Sequence, residues 1–144
     1  EQPRSVESIQ GACMLIRREA LDRVGLLDER FFVYTEEIDL CRRLLESRWE
    51  IYWVPSASVV HYGAASTEQV GSRMFVQLYR SKVIYFRKHQ GALGAFAYKA
   101  VLAAASLPRV VLPAVGMLFL PSRRERFRSL AANYSTLLVQ LPAL

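Results

Sequence analysis

Cysteine is scarce in this chain, and its spacing excludes two structures that cysteines often build. Cys13 and Cys41 are the only two among 144 residues, and they do not form a Cys-x-x-Cys motif. Neither a disulfide framework nor a cysteine zinc site is therefore indicated. We expect both to be small core residues in a reducing, cytoplasmic setting. A secretory signal pattern is also lacking at the N-terminus.

Acidic residues are almost missing from the second half of the chain. Residues 68–144 hold eleven Lys and Arg against two acids, a net charge of +9, whereas residues 1–67 hold eight Arg against eleven acids, a net charge of −3. This asymmetry predicts that the second half meets an anionic surface. Its basic residues alternate with Leu, Val, Phe and Ala, which favours membrane lipid over nucleic acid. We expect no nucleic-acid partner, since no helix-turn-helix, zinc or single-strand-binding pattern is present.

The chain also lacks an uninterrupted apolar run of the length that a spanning helix needs, about 20 residues. Residues 92–120 are the most apolar stretch, but four residues interrupt them: Lys99, Pro108, Arg109 and Pro113. We expect two half-length helices lying on the membrane, with Lys99 and Arg109 reaching the headgroups, or a re-entrant hairpin. Whether the stretch spans the bilayer stays open, and a homodimer would equally cover an apolar tail of this kind.

A basic helix is predicted after Pro121. Ser122 and Glu125 have the spacing of a capping box, which starts a helix at this point. Its first turns carry four arginines that suit anionic lipid: Arg123, Arg124, Arg126 and Arg128. Residues 92–144 are therefore predicted to form a basic, apolar, membrane-associated helical tail.

The first part of the chain has the pattern of short strands and helices. Gly11–Arg17 alternates small and large apolar residues, which predicts a buried strand, and Arg18–Val24 predicts a brief helix capped by Gly25. Two further β-rich runs, Ile51–Val54 and Ser58–His61, precede a loop of small residues.

Two longer helices are predicted. Thr35 is a candidate N-cap for the first, in which Asp39 can pair with Arg43 and apolar residues recur at helical spacing: Ile38, Cys41 and Leu45. The second covers residues 68–89 and ends at Gly91. Its apolar positions recur at steps of four, four and three: Phe75, Tyr79, Val83 and Phe86.

The densest group of chemically useful side chains is Tyr34-Thr35-Glu36-Glu37-Ile38-Asp39. A carboxylate beside an aromatic wall can take a proton from a substrate hydroxyl. Acids in a first helical turn also arise from capping alone, so both explanations stay open. A glycoside hydrolase using Glu36 and Glu37 is disfavoured, because adjacent helical residues point about 100° apart and do not flank a bond. A lone histidine such as His61 is more often structural than a metal ligand.

Taken in order, these segments resemble the second half of family 2 glycosyltransferases of the GT-A type, over residues 8–91. The likeness is strongest to rhamnosyltransferase-like bacterial members that build cell-surface polysaccharides. The segments that carry it are GACMLIRR (11–18), VGLLDERFF (24–32), EEIDLCRR (36–43), Val54-Pro55, His61, RSK (80–82) and YFRKH (85–89).

The resemblance implies an α/β fold in which residues 1–91 supply the C-terminal, acceptor-side part of a GT-A (Rossmann-like) mixed sheet with packed helices. An amphipathic helical tail, residues 92–144, would follow. It also implies that Glu37 is the catalytic base of an inverting transfer, with Glu36 and Tyr34 binding the acceptor. The family's usual residue at the base position is Asp, so the longer Glu37 side chain shifts the carboxylate by roughly a bond length.

The resemblance further implies that His61 helps to hold Mg²⁺ or Mn²⁺ against the diphosphate of a nucleotide-sugar donor, with Ser66 and Thr67 in the loop that closes on it. The family's Asp-x-Asp metal motif and nucleotide-binding half belong upstream of Gly11, and no Asp-x-Asp occurs in this chain. We therefore expect a fragment that is inactive alone, from an enzyme that glycosylates a glycan or lipid-linked acceptor on the cytoplasmic side of the membrane. The alternative is a non-catalytic membrane-binding or assembly module.

Overall fold

A computed structural model of the chain describes residues 2–61, 71–119 and 121–144. They belong to two compact units, one within residues 1–69 and one within residues 70–144. The structural division therefore lies upstream of the boundary at residues 91 and 92 that the sequence predicts. The reason is that the helix before Gly91 packs with the tail helices, through contacts such as that between Phe75 and Tyr134.

The first unit is built from two short strands and two helices. Its elements are β1 (Arg4–Ser5), α1 (Arg18–Val24), α2 (Glu36–Glu46) and β2 (Tyr52–Trp53). The strands pair antiparallel, with Arg4 opposite Trp53. Among the described residues these are the only strands. The described part of this unit therefore contains a two-stranded ribbon and no larger mixed sheet of the predicted kind.

Gly11–Arg17 is not a strand, contrary to the prediction. The segment consists of turns and irregular chain, and Leu15 is fully exposed, at 101%. Cys13, predicted to be a core residue, is exposed as well. An alternating pattern forms a strand only where a neighbouring strand accepts its hydrogen bonds, and the described part of the unit offers none to this segment. Ser58–His61 likewise forms no strand.

The core of this unit lies between α1 and α2. Ala20, Leu40 and Leu44 are buried together, and partly buried apolar side chains surround them: Ile16, Leu21, Val24 and Trp49. α1 has the predicted bounds, α2 begins where Thr35 was predicted to cap it, and the predicted burial of Cys41 is confirmed at 0% exposure. Thr35 is the N-cap of α2, but its hydroxyl makes no capping hydrogen bond.

The second unit contains one helical segment that is broken by a glycine. α3 covers Gly71–Phe119, and Gly91, with φ 72° and ψ −169°, separates residues 71–90 (α3a) from residues 92–119 (α3b). This confirms the predicted break at Gly91. A short 3₁₀ turn at Pro121–Arg123 leads to α4 (Arg124–Gln140) and a last 3₁₀ turn at Leu141–Ala143.

Two predictions for the tail are wrong. α3b continues through Pro108 and Pro113 rather than dividing into two half-length helices. Each proline removes one main-chain hydrogen bond, but packing against α4 holds the helix together on both sides. The Ser122–Glu125 capping box does not form either, since α4 has Arg123 at its N-cap and no side-chain cap.

α3a, α3b and α4 pack side by side through aromatic and leucine side chains. Leu102, Leu137 and Leu141 form the buried centre. The ring of Phe75 meets that of Tyr134 at 5.0 Å between centroids, and Phe86 stacks on Tyr98 at 4.5 Å across the Gly91 break. α4 runs antiparallel to α3b, because Gly116 lies against Phe127 at one end and Lys99 bonds the Pro142 carbonyl at the other.

Candidate active site

The start of α2 is held by two residues with unusual backbone angles. Tyr34 and Thr35 have φ values of 67° and 75°, in the left-handed region that side chains with a Cβ rarely adopt. Each such residue costs about 1–3 kcal/mol, and residues of this kind concentrate at functional sites. The strained pair is followed directly by Glu36 and Glu37 in the first turn of α2.

The two glutamates each have a shielded oxygen without a partner. Glu36 Oε2 and Glu37 Oε2 are buried and make no hydrogen bond within the described part of the chain. Burying a polar atom without a hydrogen bond is costly, so native structures rarely keep one without reason. The positive end of the α2 dipole offsets part of this cost. A hydroxyl that donated a hydrogen bond to either oxygen would remove the remaining cost of burial. A general base or an acceptor-binding carboxylate makes such a contact with its substrate.

The segment around Gly11 covers the side of α2 that carries Glu37. A Cβ placed on Gly11 would lie 3.5 Å from Glu37 Cβ and 3.7 Å from Glu37 Cγ. One turn further along, Cys41 is completely buried. Burial raises the pKa of the Cys41 thiol, the nearby Glu37 carboxylate raises it further, and a hydrogen bond with the main chain of Ile9 acts in the opposite direction. The Gly11 segment therefore screens Glu37 from solvent on one side.

Arg43 connects α2 to the end of α1. Its Nε donates to Oδ2 of the fully buried Asp39 at 2.8 Å, which confirms the predicted pair. The same guanidinium donates to one main-chain carbonyl at the end of α1, that of Val24 at 2.6 Å, and to one just after it, that of Leu26 at 2.8 Å. These bonds satisfy carbonyls that the helix leaves unpaired at its end. They fix the start of the loop that leads to Tyr34.

A second arginine orders the middle of that loop. Arg30 makes a two-pronged contact with the Asp28 carboxylate, with Nη2 to Oδ2 at 2.6 Å and Nε to Oδ1 at 3.0 Å. The Phe31 amide donates to the Asp28 carbonyl at 3.0 Å, and the Phe31 side chain is buried. Phe32 is 78% exposed, so one aromatic face of the loop is available beside the half-buried Tyr34.

Of the other predicted site residues, the structure describes only His61. His61 is exposed and lies outside any helix or strand, while Ser66 and Thr67 lie outside the described residues. No group of three or more His, Cys, Asp or Glu side chains able to hold a metal ion occurs within residues 2–61, 71–119 and 121–144. The described site is therefore the carboxylate pair of α2 together with Tyr34. The sequence did not predict two features that support it: the left-handed backbone of Tyr34 and Thr35, and the hydrogen bonds from Arg43 to main-chain carbonyls.

The family of this chain follows from its sequence match. Residues 2–79 match the family described as "Glycosyltransferase like family 2". The matched segment contains β1, both helices of the first unit, β2 and the whole carboxylate site. The chain belongs to this family. Membership implies a fold of GT-A type, and it confirms the family to which the sequence segments pointed.

Curated relatives of this family 2 chain include rhamnosyltransferases. It is 38% identical over 89 residues to an N-acetylglucosaminyl-diphospho-decaprenol L-rhamnosyltransferase of Mycobacterium tuberculosis, covering 61% of this chain and 29% of the relative. It is 33% identical over 70 residues to the rhamnosyltransferase WbbL of Escherichia coli, covering 49% of this chain and 26% of the relative.

A third relative is named a hexosyltransferase. This is the low-salt glycan biosynthesis hexosyltransferase Agl10 of Haloferax volcanii, 42% identical over 38 residues, with 26% of this chain and 12% of the relative covered. The chain thus spans less than a third of the length of the curated relatives it matches. No solved structure matches it.

Proposed function

We propose that this chain is the acceptor-side part of an inverting glycosyltransferase that moves a sugar from a nucleotide-sugar donor to a glycan or lipid-linked acceptor in cell-surface polysaccharide synthesis. The observation that carries the proposal is the buried Oε2 of Glu37 on the first turn of α2, within the family segment, which has no hydrogen-bond partner among the residues that the structure describes. The rhamnosyltransferase relatives make a deoxyhexose the first donor sugar to test.

In the proposed reaction Glu37 acts as general base. Its carboxylate takes the proton of an acceptor hydroxyl while that oxygen forms a bond to the anomeric carbon of the donor. The bond between the anomeric carbon and the diphosphate breaks, and the nucleoside diphosphate leaves with the electron pair. Glu36 orients the acceptor by accepting a hydrogen bond at its buried oxygen, and Tyr34 offers a ring for the sugar to lie against.

Family 2 glycosyltransferases generally use a divalent metal, but the described residues do not form a site for one by themselves. A hard cation such as Mg²⁺ or Mn²⁺ prefers oxygen ligands, and the residue proposed here is a single exposed imidazole, His61. His61 as a metal ligand, and Ser66 and Thr67 as contacts to the diphosphate, therefore remain predictions.

The proposed enzyme is longer than this chain and works on the cytoplasmic side of the membrane. The chain aligns with only 29% of its first relative, so we propose that turnover requires the full-length protein and that the fragment is inactive alone. The net charge of residues 68–144 supports an anionic lipid surface as a partner.

The test is glycosyl transfer by the full-length protein with Glu37→Gln, Glu36→Gln and Glu46→Gln. Glutamine keeps the shape of the side chain but cannot take the proton, so Glu37→Gln should lower kcat by about 10²–10⁴-fold. Glu36→Gln should mainly raise KM. Glu46→Gln, at the exposed end of the same helix, is the matched control and should change neither. Unchanged turnover in Glu37→Gln would favour the alternative of a non-catalytic membrane-binding module.

A separate titration tests the metal prediction. His61→Ala should raise the concentration of Mg²⁺ or Mn²⁺ that gives half-maximal activity, because one ligand is removed. His89→Ala is the control, since His89 is the only other histidine and lies in α3a. Equal metal dependence in both variants would assign His61 a structural role.

A further inference from the structure

The outward side of α3b is an apolar surface of unusual length for an exposed helix. Eight of its large apolar side chains are between 47% and 79% exposed: Leu93, Phe96, Val101, Leu107, Val111, Leu112, Val115 and Phe119. At about 100° of rotation per residue these eight positions fall on one side of the helix, and at 1.5 Å per residue they extend over about 40 Å. This set is called the α3b stripe below. Large exposed apolar patches mark interaction surfaces.

The two cations within α3b do not interrupt the stripe. Lys99 Nζ donates to the main-chain carbonyl of Pro142 at 3.3 Å, beyond the end of α4. The Arg109 guanidinium lies over the Tyr134 ring of α4, 5.6 Å from its centroid. Both are thus directed toward the packed side of the helix, where Leu102 and Ser106 are buried. This differs from the sequence prediction, in which both side chains reach outward to headgroups.

Positive charge flanks the stripe at both ends. Arg87 and Lys88 precede the Gly91 break, and four arginines follow Phe119: Arg123, Arg124, Arg126 and Arg128. Residues 70–144 hold eleven Lys and Arg against Glu125 as the single acid. An apolar helix face bordered by arginine and lysine complements an anionic lipid surface, where each basic residue near the headgroups strengthens binding about fivefold.

The charges on the neighbouring helices indicate whether α3b lies on a bilayer or crosses it. By length and composition Ser72–Met117 is apolar enough to span a membrane. However, α3a packs beside α3b and exposes Arg73 and Arg80, and α4 exposes Arg126 and Arg128. A transmembrane orientation of this bundle would bring such charges into hydrocarbon, which is expensive. Lying flat, the unit buries the stripe and keeps the charged side chains of α3a and α4 out of the hydrocarbon, within reach of the headgroups or in water.

We propose that the α3b stripe docks in the plane of an anionic bilayer, inserted to the depth of the headgroup boundary. This inference rests on the proposed function for its lipid-linked acceptor, which a docked enzyme would meet at the surface where that acceptor lies. Binding to vesicles needs neither donor nor acceptor. A failure of docking is therefore distinguishable from a failure of glycosyl transfer.

The first experiment is sedimentation of the chain with vesicles of phosphatidylcholine alone and with 30% phosphatidylglycerol. We expect the chain to bind the anionic vesicles. Val111→Asn, which interrupts the stripe, should weaken this binding about tenfold or more. Arg126→Gln should weaken binding about fivefold. Val139→Asn is the matched control, because Val139 is 80% exposed but lies on α4, and it should bind like the parent. No binding to anionic vesicles, or equal loss with Val139→Asn, would overturn the proposal.

The second experiment measures depth. Tryptophan is placed at the two ends of the stripe by Leu93→Trp and Phe119→Trp, and at its middle by Leu107→Trp. For each variant, the quenching of fluorescence by lipids brominated at shallow or deep carbons is compared with the quenching in the unmodified chain. In-plane docking predicts shallow quenching at all three positions. Deep quenching at Leu107→Trp alone would show a spanning helix and overturn the proposal. A stable dimer without vesicle binding would overturn it in favour of a second copy on the stripe.

Discussion

The Nε atom of Arg43 lies 2.8 Å from Oδ2 of Asp39, whose side chain is completely buried. We predict that Arg43→Ala lowers the free energy of unfolding by about 3–5 kcal/mol, the usual effect of removing one partner from a buried ion pair. Arg43→Lys should recover only part of the loss, because the compact ammonium group cannot span the three acceptors that Arg43 reaches from three separate nitrogens. Urea unfolding followed by tryptophan fluorescence measures this in the first unit, since Trp49 and Trp53 are the only tryptophans.

The control for this prediction is on the same helix. Arg42 pairs with Glu46 at 2.7 Å, but these side chains are 34% and 56% exposed. Exposed pairs of this kind contribute about 0.3–0.5 kcal/mol, so Arg42→Ala should change the unfolding free energy by no more than this. Similar losses for Arg42→Ala and Arg43→Ala would contradict the role given to Arg43.

The two cysteines should differ strongly in reactivity. Cys13 is exposed, whereas burial raises the pKa of Cys41 above the ordinary thiol value. Ellman's reagent should therefore modify one thiol rapidly in the folded chain and the second only after unfolding. The Cys13→Ser variant isolates Cys41, which should stay slow at a pH where an ordinary thiol is already ionised.

The raised pKa of Cys41 also fixes the direction of a pH effect. A thiol whose pKa is higher in the folded state than in the unfolded state contributes stability below the unfolded pKa. That contribution is lost as the pH rises through the folded value.

Rapid reaction of Cys41 at neutral pH would show that the α2 face beside Glu37 is open to solvent.

Arg48→Gly is expected to stabilise the first unit. Arg48 has φ 64° and follows α2 in a Schellman arrangement, in which the amides of Arg48 and Trp49 donate to the carbonyls of Leu45 and Leu44 at 2.9 and 3.0 Å. Glycine adopts this conformation without the cost of a Cβ, so the gain should be roughly 0.5–1 kcal/mol. Arg48→Ala keeps the Cβ and should give no gain; equal stabilisation by both substitutions would point to a charge effect instead.

Gly91→Ala should destabilise the second unit. Gly91 combines φ 72° with ψ −169°, a region that essentially only glycine occupies, and a Cβ there would meet no atom within 4 Å. The cost is therefore conformational, about 1–3 kcal/mol, and thermal unfolding followed by circular dichroism should show it. Gln90→Ala, at the exposed neighbouring position, should change stability by less than about 0.5 kcal/mol. Equal melting of the two variants would exclude the break at Gly91.

Local patterns predicted the parts of the fold that depend on neighbouring residues. The bounds of α1, the start of α2, the pair of Asp39 with Arg43 and the break at Gly91 all follow from contacts within a few positions along the chain. The errors arose where distant partners decide. Gly11–Arg17 has no strand to pair with in the described unit, and α3b passes Pro108 and Pro113 because α4 packs on it.

The site was predictable in its chemistry but not in its supports. Glu36 and Glu37 stand out by charge, position and resemblance to the family. The left-handed angles of Tyr34 and Thr35 leave no trace in the sequence, since neither is a glycine or an asparagine. The bonds from Arg43 to the carbonyls of Val24 and Leu26 connect residues far apart in sequence, and no spacing rule predicts them.

The closeness of α3b and α4 restricts how these two helices can change during evolution. A Cβ on Gly116 would lie 2.9 Å from the Cε2 atom of Phe127, closer than real side chains approach. Residue 116 can therefore gain a methyl group only if residue 127 becomes smaller or its ring moves. We expect the two positions to change together in related proteins that share this hairpin. Where residue 127 is aromatic, residue 116 should be glycine. Where residue 116 is larger, residue 127 should be aliphatic.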